Sequence, residues 1–178
     1  FLHSVLELFD FANDSKEALR ELVEERLQFF GFNAKQWSEL VTRGLDEVLR
    51  TPLDFGSSHS FSLREVSKEQ RLDELEFIFP VAQASPSLQF VPEALARILR
   101  AHGSTAMPLG YPDHVEHLGF DPLSGFMRGF VDLIFRKDGK WYLVDYKSNH
   151  LGNLPSAYSL ERVTEAMAHH HYFIQYHL

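Results

Sequence analysis

Cysteine is absent from the 178 residues, which excludes disulfides, thiolate-bound zinc and iron–sulfur clusters. Basic residues are scarce: 17 Lys and Arg against 25 Asp and Glu give a formal net charge of -8 at pH 7. A chain this acidic does not hold a polyanion by its own field, so work on one needs a metal ion, a local basic strip or a partner. No apolar run approaches the roughly 20 residues of a membrane-spanning helix. The opening Phe1-Leu2-His3-Ser4 has neither a starting methionine nor the basic region of a secretion signal, so the expectation is a cytoplasmic segment excised from a longer chain, without membrane contact. Apolar residues are plentiful. They make up 44% of the chain and include 16 Phe, enough for the core of one domain spanning residues 1–178.

The N-terminal third reads as helices. Phe1 to Phe11 is apolar at helical spacing, and Asp14 followed by Glu17 resembles a capping box opening a helix that ends at Gly31. A third helix, Ala34 to Arg50, presents Trp37, Leu40, Val41, Leu45, Val48 and Leu49 as its apolar stripe and stops before Pro52. A polar loop from Asp54 to Ser60 leads to a short strand near Phe61–Val66. The run Asp73 to Phe79 alternates as a strand, with Leu75, Phe77 and Phe79 on one face and Glu74, Glu76 and Ile78 on the other. Pro92 opens a further helix. Residues 102 to 125 carry too many Gly and Pro to be regular, and a last helix runs from about Ala157 to the end.

The most informative segment is a hairpin. Gly129 to Arg136 and Trp141 to Lys147 flank Asp138-Gly139, a strong signal for a two-residue turn. With those two residues at the centre, Lys137 pairs with Lys140, Phe135 with Tyr142, Leu133 with Val144, and Asp132 with Asp145. Period-two alternation then puts Asp132, Asp145 and Lys147 on one face. Opposed residues have Cβ atoms roughly 4.5–5.5 Å apart, a spacing at which two carboxylates need a proton, a cation or a lysine between them. Hard divalent cations take oxygen ligands, and magnesium is commonly held by one or two carboxylates with waters and phosphates. A lysine beside such a site can orient or deprotonate a water. The same pattern also fits an ordinary exposed hairpin with scattered charges.

Histidines outside the hairpin carry less. His114 and His117 could share zinc on a helix, but Pro112 and Gly119 bracket them and no third ligand is evident. His169, His170 and His171 point in different directions on a helix and read as its polar face. His3 alone reads as a packed core residue.

Taken together, the runs Gly125 to Asp132 and Tyr142 to Gly152, including Asp145-Tyr146-Lys147, resemble the nuclease domains at the C-terminus of RecB, within the PD-(D/E)XK nuclease superfamily. Phe1-Leu2-His3-Ser4 is similar to that family's first motif, Glu74-Leu75-Glu76-Phe77 to its acidic strand, and Ala166 to Tyr176 to its last motif. Essentially the whole chain is covered. The resemblance implies an α/β, restriction-endonuclease-like core with a central mixed sheet, a catalytic hairpin and flanking helices.

It implies further that His3, Asp132, Asp145 and the backbone carbonyl of Tyr146 hold Mg2+, for which Mn2+ or Ca2+ can substitute in binding. Lys147 would position the water, Glu74 or Glu76 would be the active-site acid, and Gln175 would lie near DNA. The implied activity is an exodeoxyribonuclease of a RecBCD-type helicase–nuclease in double-strand-break repair. Its substrate would be single strands delivered by a helicase, and its partners RecC-like and RecD-like subunits and the helicase part of the same chain. The glycine expected before His3 is missing and the tyrosine expected four residues after Gln175 would fall beyond the end, so the site is expected to be cut at both edges. The competing expectation is a catalytically silent nuclease-like module used for DNA or subunit binding.

Overall fold

The structure, a computed structural model, describes residues 1–53, 60–81, 91–120 and 125–175. In chain order the elements are α1 (Leu2–Leu8), α2 (Lys16–Phe29), α3 (Ala34–Arg50), β1 (Arg71–Val81), α4 (Pro92–His102), α5 (Tyr111–Glu116), β2 (Gly125–Lys137), β3 (Lys140–Val144), α6 (Leu160–His169) and α7 (Tyr172–Gln175). Short 3₁₀ turns occupy Leu63–Glu65, Lys68–Gln70 and Pro155–Tyr158. The strands form one antiparallel sheet in the order β1-β2-β3, and the mixture of helices and sheet is consistent with a restriction-endonuclease-like α/β core. The chain divides into two compact units, Phe1–Phe77 with Gly129–Tyr146, and Ile78–Arg128 with Lys147–Leu178. None of the described helices is long and apolar enough to cross a membrane.

In the first unit α2 starts at Ser15, whose hydroxyl accepts the Ala18 N–H at 3.2 Å. The cap expected at Asp14 falls one residue later, and Asp14 instead pairs with Arg50 Nη2 at 2.6 Å. The helix ends in a Schellman closure: Phe32 N–H donates to Leu27 O and Gly31 N–H to Gln28 O. Gly31 sits at φ +79, a conformation that glycine adopts freely. Helix α3 has the expected bounds and buries Leu45 and Leu49 of the expected stripe, but its inward face is rotated onto Ser38 and Thr42. Ser38, Thr42, Leu45 and Leu49 point inward, while Trp37, Leu40 and Val48 are exposed. Small side chains at 38 and 42 allow close approach to α2, which a Trp at that interface would prevent.

The strand expected near Phe61–Val66 is reduced to a single bridge between Leu53 and Phe61. Beyond it, the Glu65 carboxylate accepts the Ser62 N–H at 2.9 Å in a capping box, turning the chain into a 3₁₀ helix. Most of the expected polar loop, residues 54–59, lies outside the described residues.

The hairpin follows the expected register from Lys137↔Lys140 to Leu133↔Val144. Asp138 at φ 50 and Gly139 at φ 76 supply the two left-handed residues that a type I′ turn demands. Phe135 is fully buried and stacks on Tyr142 with ring centroids 5.0 Å apart, while Phe61 meets it edge-on at 5.8 Å. Gly129 leaves room for Phe77, whose ring lies 2.3 Å from where a Cβ would sit.

The second unit buries Leu95, Ala96, Leu99, Tyr111, Val115 and Phe173 in its own core. Helix α5 occupies part of the stretch expected to be irregular. Gly110 at φ 85 turns the chain into it and Pro112 lies in its first turn, so residues that punctuate the sequence here start a helix. The expected last helix is broken: Ser159 caps α6, and His171 at φ 57 separates α6 from α7.

Candidate metal centre

The centre is assembled from α1, from the parts of β1 and β2 that lie in the first unit, and from the exit of β3. Helix α1 is fastened by its C-terminal carbonyls. Arg71, with its side chain wholly buried, donates through Nη2 to Phe9 O at 2.5 Å and Leu6 O at 3.3 Å, and through Nε to Asp73 Oδ2 at 3.1 Å. Its guanidinium lies 3.5 Å from the centroid of the Phe11 ring. Lys68 Nζ donates to Glu7 O at 2.6 Å and to Asp73 Oδ2 at 2.7 Å. Cations at the end of a helix satisfy carbonyls that have no partner within it and complement its dipole. This fixes the helix whose first turn carries His3.

His3 Nε2 stands 3.0 Å from the Tyr146 carbonyl oxygen and 3.3 Å from Asp132 Oδ2. The imidazole remains partly open, 41% exposed, over a carboxylate that is 15% exposed. Asp132 Oδ2 in turn accepts the Tyr146 N–H at 2.6 Å. The ladder therefore ends at Leu133↔Val144, and the rung expected between Asp132 and Asp145 is not part of it. The physical reason is the Tyr146 N–H, which bonds the Asp132 side chain as the chain leaves β3. Asp145 is half-buried at this exit, between the end of β3 and Tyr146.

Glu74 and Glu76 part company. Glu74 takes a left-handed conformation, φ 49, inside β1. The strand's alternation slips there: Asp73 and Glu74 are both half-buried, while Leu75 and Glu76 are both exposed. A bulky residue so held in a strand stores strain, a feature concentrated at functional sites. Burial, then the negative charges of Asp132 and Glu7, hold the Glu74 carboxyl above the usual carboxylate range, with His3 opposing and Asp73 adding. Glu74 is thus the acid that shares the field of Asp132 and His3.

Lys147 and Gln175 belong to the second unit, as does everything after Tyr146. Lys147 Nζ lies 4.5 Å from the centroid of the Tyr172 ring, and Gln175 ends α7, exposed. Tyr176, the end of the expected last motif, lies outside the described residues. His169 closes α6, whereas His171 is half-buried with Nδ1 3.3 Å from Tyr111 Oη, so the three do not form one polar helix face. His117 Nδ1 is tied to Asp113 O at 2.6 Å. Arg71 and Asp73 were not singled out in the sequence. The available signal is an Arg and an Asp at i, i+2 at the start of the strand.

Among the described residues no three His, Asp or Glu side chains lie close enough to hold a metal ion together. What converges is an imidazole nitrogen, a carboxylate oxygen and a main-chain carbonyl. Adjacent ligands of an octahedral ion at about 2.1 Å stand about 3.0 Å apart, close to the spacings around His3 Nε2. The two spacings from His3 Nε2, 3.0 and 3.3 Å, are compatible with adjacent ligands of a hard divalent cation and equally with hydrogen bonds.

An α/β unit with this cluster at a hairpin exit defines a restriction-endonuclease-like core with a candidate metal centre. No family model matches the chain. Over all 178 residues it is 33% identical to RecBCD enzyme subunit RecB of Escherichia coli K12, covering 14% of that protein. Over 98% of its length it is 33% identical to RecBCD enzyme subunit RecB of Mycobacterium tuberculosis H37Rv, covering 17% of it, and over 79% it is 31% identical to the Haemophilus influenzae subunit, covering 10%. The chain is a RecB relative, consistent with the C-terminal nuclease domain of that subunit, and spans only about a seventh of the first of these proteins.

Proposed function

We propose that this chain is the magnesium-dependent exodeoxyribonuclease domain of a RecBCD-type helicase–nuclease. The observation that carries the reading is the meeting of His3 Nε2 with the Asp132 carboxylate and the Tyr146 carbonyl, in a chain similar to RecB along its whole length. When bound, magnesium supplies Lewis-acid polarisation of a phosphate and a more acidic water. The remaining work falls to side chains. His3 binds through neutral Nε2, and Asp132 and Asp145 neutralise charge that would otherwise build up at the centre. Glu74, its proton affinity raised by burial and by Asp132, is suited to accept a proton from an attacking water. Lys147, next in the chain after Tyr146, is assigned to positioning that water and stabilising the developing negative charge. Gln175 is assigned to the neighbourhood of DNA.

The substrate on this reading is single-stranded DNA delivered by a helicase belonging to the same longer polypeptide. RecC-like and RecD-like subunits complete the assembly, and the role is DNA-end degradation in double-strand-break repair. Manganese or calcium can replace magnesium in binding. In the full-length polypeptide, Asp145→Ala is expected to lower magnesium-dependent cleavage of single-stranded DNA by on the order of a hundredfold or more. Cleavage at the wild-type rate would sink the proposal.

One observation favours a second reading, a silent module for DNA or subunit binding: the described residues contain no group of three acidic or histidine side chains around one point. Calorimetric titration with manganese separates the two. Binding that requires Asp132 supports the nuclease, and binding indifferent to Asp132 and Asp145 supports the silent module.

A further inference from the structure

Lys147 follows the end of β3 at Val144 in a stretch that has no helix or strand until Pro155. Its side chain is exposed, and an exposed ammonium on a four-carbon stem samples many rotamers unless something holds it. In the second unit that something is Tyr172. Lys147 Nζ lies 4.5 Å from the centroid of the Tyr172 ring, and the Tyr172 hydroxyl donates to Asn149 Oδ1 at 3.2 Å, further along the same stretch. The His170 ring stacks on Tyr172 as well, with centroids 5.5 Å apart and planes 23° from parallel. Residues two apart on an unbroken helix do not face each other, and the left-handed His171, φ 57, between α6 and α7 allows this stack. Phe173, next in the chain, is buried in the core of the unit and meets Tyr111 edge-on at 5.5 Å, which anchors α7.

We propose that Tyr172 is a positioning residue for Lys147, holding the ammonium over its ring by a cation–π contact and the chain beside it through Asn149. The negative face of an aromatic ring attracts a cation without neutralising it, as a carboxylate would. Lys147 is thereby fixed in place while its full charge stays available to a water or a phosphate oxygen. The inference rests on the assignment of Lys147 to the attacking water, and the test keeps the two apart.

The test is cleavage of single-stranded DNA by the full-length polypeptide at saturating magnesium. Lys147→Ala checks the assignment itself and is expected to lower kcat by about a hundredfold or more. A wild-type rate there overturns the assignment, and the positioning role with it. Tyr172→Leu is expected to lower kcat about tenfold, the worth of a cation–π contact of intermediate exposure, with KM for DNA within about twofold. Combined with Lys147→Ala, it should cost nothing further, because the group it positions is gone. A wild-type kcat in Tyr172→Leu, with Lys147→Ala impaired, overturns the positioning role alone, and so does the same tenfold loss in the absence of Lys147. Should Tyr172→Leu not fold, or Lys147→Ala leave no measurable rate, replacements that conserve shape decide. Tyr172→Phe keeps the ring face and is expected to retain kcat within about threefold. In its place, 3,4,5-trifluorophenylalanine at position 172 withdraws the negative charge of that face and should lower kcat about fivefold relative to Tyr172→Phe. Equal rates in those two proteins refute the proposal.

Discussion

Two arginines hold the two units in opposite ways. Arg71, in the first unit, is wholly buried and divides its donors among Asp73 and the carbonyls of Leu6 and Phe9. Arg100, in the second, is 43% exposed and pairs through one nitrogen with Asp113 at 2.6 Å and with Glu116. Buried ions hold geometry because losing one partner strands the other, whereas exposed pairs are screened and replaced by water. The histidines follow the same division. His3 faces a carboxylate and a carbonyl, while His171 sits beside other imidazoles and a tyrosine. The same residue type meets a carboxylate and a main-chain carbonyl in one unit and packs among rings in the other.

The sharpest way to break this contrast is to exchange charge for hydrocarbon in both places. Arg71→Met is expected to cost about 3 kcal/mol, by stranding the Leu6 and Phe9 carbonyls and leaving Asp73 with Lys68 alone, and Arg100→Met to leave the unfolding midpoint in denaturant essentially unchanged. Equal losses in chemical denaturation would abolish the distinction. A smaller effect is expected at Gly129, where a methyl group meets the Phe77 ring. Gly129→Ala should cost about 1–3 kcal/mol by overpacking, measurable as a lower denaturation midpoint.

The smallest effects lie in the pH dependence, where the units should slope in opposite directions. Glu74 has its pKa raised on folding, chiefly by burial and then by Asp132. The fold is therefore favoured relative to neutral pH below the ordinary carboxylate range and loses that advantage as pH rises from that range through the raised folded-state value. Glu74→Gln should raise the melting temperature at neutral pH, with the gain vanishing in acid. His171 has its pKa lowered, first by burial and then by His114, His169 and His170. Stability from keeping it neutral is present above the usual imidazole range and is lost as pH falls below it, so His171→Asn should flatten the acid side of the profile. Hydrogen exchange resolved by unit distinguishes the two slopes.

Local signals in the sequence were legible where the answer is local. Asp138-Gly139 fixes the hairpin because only the left-handed conformations of those two residues make the turn, and the pairing follows by counting. Helix α3 runs from Ala34 to Arg50 as expected and buries Leu45 and Leu49 of its apolar stripe, yet Ser38 and Thr42 also face inward and no apolar pattern marks them. Glu74 was visible as an acid, but alternation gave it and Glu76 the same face; the left-handed residue that separates them leaves no sequence signal. Arg71 escaped for a different reason. Its partners, Leu6 and Phe9, lie more than 60 residues away in the chain and contribute only carbonyls.

Two of the groups that meet at the centre, the N–H and the carbonyl of Tyr146, belong to the main chain. No codon change other than one to proline removes that N–H, and none removes the carbonyl. Genetic drift at position 146 can therefore loosen or retune the centre by altering how the backbone is held, but cannot delete these two contributions outright. Mutational vulnerability falls instead on His3 and Asp132, whose contributions are carried entirely by side chains.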